Sequence, residues 1–98
     1  MAKYMALFDV DTSRLSDDPK MRKAQLLGAE ELVAQKLKEG VLKEWGSFAG
    51  ELRGYMIFEG SAVDLHAITA LWVPVVKFTT REVLTIDEIN KVTKALPE

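Results

Sequence analysis

Two strand-forming stretches of this sequence are apolar on both faces, and a sheet built from them needs two covers. In Tyr4-Met5-Ala6-Leu7-Phe8, Met5 and Leu7 point one way and Tyr4, Ala6 and Phe8 the other. In Tyr55-Met56-Ile57-Phe58, Tyr55 and Ile57 oppose Met56 and Phe58. The rest of the chain decides how many helices there are and which side of the sheet they cover.

Lys3 to Val10 reads as a first strand, ended by the turn-forming Asp11-Thr12-Ser13. Asp18-Pro19 is an N-cap followed by proline at the first helical position, where its missing N–H costs nothing. The helix it opens carries Leu26, Ala29, Val33 and Leu37 on one stripe, and Gly40 stops it. Val41 to Ala49 and Arg53 to Glu59 are aromatic-containing runs joined closely through Gly50-Glu51, which predicts an antiparallel hairpin. Ser61 and Asp64 resemble a capping box for a second helix, with Leu65, Ile68, Leu71 and Trp72 on one stripe before Pro74. Val75 to Leu84 predicts a fourth strand. Thr85-Ile86-Asp87-Glu88 is a T-x-x-E capping box that opens a last helix, with Ile89, Val92 and Leu96 on one side and Pro97 closing it.

The order β-α-β-β-α-β-α is an α+β arrangement, the ferredoxin-like β-α-β-β-α-β unit with an added C-terminal helix. Right-handed crossovers put both long helices on one face of a four-stranded antiparallel sheet. The other face is apolar and bare, so it is expected to pack against its copy in a homodimer or larger homo-oligomer. That gives a dimeric α+β barrel of two sheets face to face. With 98 residues the chain is expected to form one domain, residues 1–98, of radius roughly 13 Å. Burial of only about 60–70% of the unfolded-state surface in so small a domain adds to the case for self-association.

Thirteen Lys and Arg against fifteen Asp and Glu give a formal charge of −2, and no basic run exceeds two residues, which argues against nucleic-acid binding. The absence of cysteine excludes disulfides, thiolate catalysis and Cys-ligated metals, and fits a cytoplasmic setting. No segment reads as a signal peptide or membrane span: the most apolar window, Ala67 to Val76, contains Thr69 and Pro74. Neither a cofactor nor a metal is expected.

His66, the single histidine, lies about 100° around its helix from Leu65 and reads either as a general acid/base or as an ordinary flanking residue. Asp9, Asp11 and Ser13 resemble the start of a calcium loop, but Arg14 and Lys20 stand where Gly and Glu are required, so the segment reads as a turn. Gly46, Gly50 and Gly54 form no phosphate-binding motif and are expected to permit a bulge and a hairpin turn. Ser47 misses the G-x-S-x-G elbow by one position. Lys43, Glu44, Glu51, Arg53, Glu59, Lys77, Arg81 and Glu82 read as solvated strand ends or edge charges. A carboxylate aimed into a dry barrel would instead have its pKa raised toward neutrality and serve as a base, with Glu51 and Glu44 as candidates. Trp45, Phe48, Tyr55 and Trp72 are core residues or the walls of a pocket for a flat or cyclic ligand.

From Asp18-Pro19 through Ala29-Glu30-Glu31-Leu32, Leu37-Lys38-Glu39-Gly40, Phe48-Ala49-Gly50, Tyr55-Met56-Ile57-Phe58-Glu59, Ser61 and Leu65-His66 to Pro74, the sequence resembles the muconolactone isomerase family. The resemblance spans roughly residues 18–84. It implies a ferredoxin-like subunit in face-to-face dimers and a cofactor-free isomerase that shifts a proton in a small unsaturated lactone or enone. On that reading Glu51 or His66 carries the proton, and Arg53, Tyr55 or His66 steadies the enolate oxygen. Glu44, Trp45, Tyr55 and Trp72 would contact a small apolar cyclic ligand. Related barrels also host cofactor-independent monooxygenases. Where the family has Asn before the strand tyrosine and His after Ala-Gly, this chain has Gly54 and Glu51. That difference motivates a second reading, a non-catalytic ligand-binding or self-assembly barrel. An interior with no cavity of about 300 Å³ or more would favour this second reading.

Overall fold

The computed structural model describes residues 2–98. Its elements are β1 (Ala2–Val10), a 3₁₀ turn (Thr12–Arg14), α1 (Pro19–Lys38), β2 (Leu42–Ser47), β3 (Arg53–Gly60), α2 (Ala62–Thr69), β4 (Val76–Val83) and α3 (Ile86–Lys94). The strands form one sheet in the order β2-β3-β1-β4, with every neighbour antiparallel. This is the arrangement that the element order requires of a ferredoxin-like unit.

Local chemistry sets the boundaries. Asp18 caps α1 by accepting from the Lys20 N–H, and Gly40, at φ +77°, turns the chain out of it. Ser61 caps α2 by accepting from the Asp64 N–H. Gly50, at φ +81°, makes the hairpin turn. The β-bulge expected at the hairpin glycines lies instead between Leu42 and Glu44, at Lys43. Gly46 and Gly54 serve close approach: a Cβ on Gly54 would overlap the Gly46 carbonyl oxygen and the Phe8 ring. Helix α2 stops at Thr69, short of the predicted stripe, so Leu71 is exposed and only Trp72, in the following turn, is buried.

The register sorts the side chains into two faces. Ala6 lies opposite Met56, Phe8 lies between Gly54 and Phe78, and Leu42 lies opposite Phe58. Two adjoining buried clusters result, Ala6-Leu42-Met56 and Phe8-Trp72-Val76, against which Val33 of α1, Ile68 of α2 and the half-buried Phe78 pack. On the other face Leu7 sits between Tyr55 and Thr79, and Met5 sits between Ile57 and Arg81, with no helix above them. Met5 and Leu7 are 36% and 44% exposed. Both faces are thus apolar, and the helices cover one.

Helix α3 departs from the expectation of a compact domain. Every residue from Leu84 onward is exposed, and the molecule measures 63 × 25 × 22 Å with a radius of gyration of 16.5 Å, against about 13 Å for a compact chain of this length.

Candidate functional site

Between the sheet and α1 lies a cavity of about 110 Å³. Its sheet wall is aromatic. Phe8 stacks on Trp45 with ring centroids 5.4 Å apart and planes 14° from parallel, an arrangement that the missing side chain of Gly54 makes room for. Trp72 and Phe78 meet at 6.2 Å and 60°. The Trp72 indole N–H donates to the Ala29 carbonyl at 3.4 Å, tying the end of α2 to α1. Leu26, Ala29 and Val33 form the helical roof. No residue of α1 is fully buried; Ala29, Leu32 and Val33 pack on the core clusters while only half-buried. The polar residues at the wall are few: Ser47 of β2, and Glu30 of α1, itself exposed at the rim.

The structure divides the residues singled out from sequence. Trp45 and Trp72 share the cavity. Glu44 and Tyr55 lie together on the opposite, helix-free face, where the Tyr55 hydroxyl donates to Glu44 Oε1 at 2.6 Å. Gly46 permits this, since a Cβ there would strike the Tyr55 ring. The hydrogen bond to Glu44, reinforced by burial and by the carboxylate's charge, pushes the Tyr55 phenol above its ordinary pKa. Phe48, in the hairpin turn, stacks on Tyr55 at 6.4 Å and is 42% exposed.

The three residues assigned proton chemistry lie outside the cavity wall. Glu51 is in the hairpin turn and Arg53 opens β3. Arg53 Nη1 is 3.8 Å from Glu51 Oε1, and its Nε is 3.9 Å from Asp9 Oδ2. These side chains are all about half exposed, so the pairs hold little energy. His66 is exposed on α2 and borders a shallow depression with Asp11, Arg14 and Lys77. Asp11 accepts from both the N–H and the hydroxyl of Ser13, at 3.1 and 2.6 Å. The hydroxyl bond chiefly holds the Asp11 carboxyl below the usual range. The segment is the turn that its sequence indicated.

Glu30 and Ser47 are the wall residues whose position sequence reasoning missed. The signal was present for Glu30, which stands four residues after Leu26 and three before Val33, at the edge of the half-buried stripe of α1. For Ser47 it was hidden, because the bulge at Lys43 shifts the parity of β2. Among the described residues no cluster of three or more His, Asp or Glu side chains is placed to hold a metal ion, and no helix is long and apolar enough to cross a membrane. The sequence matches no protein-family model and no curated protein.

Proposed function

We propose that the aromatic cavity binds one small, flat, mostly apolar molecule, in a cytoplasmic homodimeric α+β barrel of the muconolactone isomerase kind. The observation that carries this reading is the cavity itself: four aromatic side chains and an aliphatic roof around about 110 Å³. A dry cavity of about 150 Å³ accepts a benzene ring, so this one suits a five-membered ring. It falls well short of the roughly 300 Å³ at which ligand pockets ordinarily begin, which favours the non-catalytic reading over catalysis. In the dimer the bare sheet faces, with Met5, Leu7 and Ile57 at their centre, meet their copies.

The isomerase reading is supported by one further observation, the Glu30 carboxylate at the rim of this apolar space. A proton shift next to a carbonyl would use Glu30 as its base, since neither Glu51 nor His66 lines the cavity.

Both tryptophans of the chain line the cavity, so their fluorescence reports its occupancy directly. Titration with an unsubstituted five-membered unsaturated lactone is expected to give a saturable change, and a flat response overturns the binding reading. Deuterium incorporation into the bound lactone, lost in Glu30→Gln, would establish proton transfer; binding without exchange would leave a non-catalytic site.

A further inference from the structure

We propose that α3 is an exchanged arm, whose apolar stripe packs on a second copy of this chain. The inference rests on the homodimer reading above and is independent of the cavity. A nine-residue helix is too short to hold itself in water, where isolated helices below about 12–15 residues are marginal. The capping box at Thr85 and Glu88 defines where this one starts, but packing must supply the rest. Its own body does not supply it. Ile86, Ile89, Val92 and Leu96 are 73%, 43%, 59% and 61% exposed; Ile89 and Val92, three residues apart, lie on one side of the helix, and Leu96 follows just past its C-cap Ala95.

The surface area shows how far the chain departs from a compact monomer. The chain exposes 7159 Å², where a compact monomer of 11.0 kDa exposes about 5,600 Å². The excess of about 1,600 Å² per chain is about twice the roughly 800 Å² that each partner buries in a standard interface, an area of the size that permanent homodimers cover. The bare sheet face and the α3 stripe are two uncovered apolar surfaces on one chain, and a symmetric association covers both at once.

The charges agree with a second copy. Around the open face Lys3, Arg53, Lys77 and Arg81 alternate with Asp9, Glu44 and Glu59, so two copies meet without a single-sign field between them. A lipid surface fits less well. The polar side of α3 offers Asp87 and Glu88 against Lys91 and Lys94, and the segment from Leu84 to Glu98 has no aromatic residue. An interfacial membrane helix carries a basic polar face and aromatic anchors.

The test uses the full chain in a mixture of isotope-labelled and unlabelled protein, with light scattering to fix the mass. The expected result is a dimer or larger assembly in which isotope-filtered NOEs connect the Ile89 and Val92 methyls to the other copy. The double variant Ile89→Asp, Val92→Asp should lose those NOEs and weaken association about 100-fold or more. The variant residues are exposed in the single chain, so far-UV circular dichroism of the sheet should be unchanged. A dimer that keeps its affinity in the double variant and shows no intermolecular NOE to α3 overturns the arm while leaving the sheet-face dimer standing. A dimer indifferent to Leu7→Lys whose α3 NOEs persist keeps the arm and removes the sheet-face pairing. A monomeric wild type removes both.

Discussion

The Tyr55 hydroxyl donates a 2.6 Å hydrogen bond to Glu44 Oε1, linking a central strand to the edge strand β2 on the face of the sheet that no helix covers. A phenol that donates to a carboxylate is favoured in its neutral form, so the folded-state pKa of Tyr55 lies above its ordinary value. Its contribution to stability is therefore fully present below the ordinary tyrosine pKa near about 10 and is lost as pH rises through the folded value. The tyrosinate absorbance of the native protein should show a step above that value. Glu44→Gln should move the step down, and a titration curve unchanged by the substitution would refute the coupling.

Two glycines should respond to alanine in opposite directions. A Cβ on Gly54 would meet the Gly46 carbonyl oxygen and the Phe8 ring, and the backbone oxygen cannot move without parting β2 from β3. Gly54→Ala is expected to destabilise by about 2–4 kcal/mol. Gly28, inside α1, has nothing within 4 Å of a built Cβ, so Gly28→Ala should stabilise by about 0.5–1 kcal/mol through helix propensity alone. Urea denaturation of the two variants reads both signs.

The elements were legible because their boundaries are made by local chemistry. Asp18-Pro19, Ser61 and Thr85 each start a helix where their side chains accept a backbone N–H, and such signals need no knowledge of the tertiary fold. The two apolar sheet faces were legible for the same reason, since alternation survives in β1 and β3. The site was less so. Trp45 and Tyr55 both read as pocket aromatics, yet the bulge at Lys43 and the pairing of Gly46 with Tyr55 put them on opposite faces. Glu51, Arg53 and His66 looked eligible by residue type, but their place is decided by a turn and by the outward side of a short helix. Helix α3 carries a stripe of the kind that normally marks a buried face. The sequence cannot say whether its own chain or another does the burying.

The capping box of α3 makes that helix sensitive to acid. Thr85 N–H donates to Glu88 Oε1 at 2.9 Å, and Thr85 Oγ1 accepts from the Glu88 N–H at 3.2 Å. The backbone hydrogen bond from Thr85 is the main reason that the Glu88 carboxyl sits below its usual range. A depressed carboxyl stabilises above its unfolded pKa, about 4.3, and the benefit disappears as pH falls through the folded value. The Cα chemical shifts of α3 should therefore move toward coil as the pH is lowered past this range, with the sheet unaffected. Thr85→Ala should reproduce the change at neutral pH. Helical shifts at the first turn of α3 that stay unchanged both in acid and in Thr85→Ala would show that the capping box adds nothing measurable to the helix.

The cavity predicts a stability change and a binding change from one substitution. Ala29 lies in the roof of this space, and its carbonyl, which receives the Trp72 indole N–H, belongs to the backbone and is retained on substitution. Ala29→Leu adds three carbons into the gap and should raise stability by about 1–2 kcal/mol. The same three carbons occupy the volume that a small ring would need, so the fluorescence response of Trp45 and Trp72 to the lactone should vanish in the more stable variant. Loss of stability instead would mean that α1 already closes on the sheet in solution, and the cavity would then be no site for a ligand.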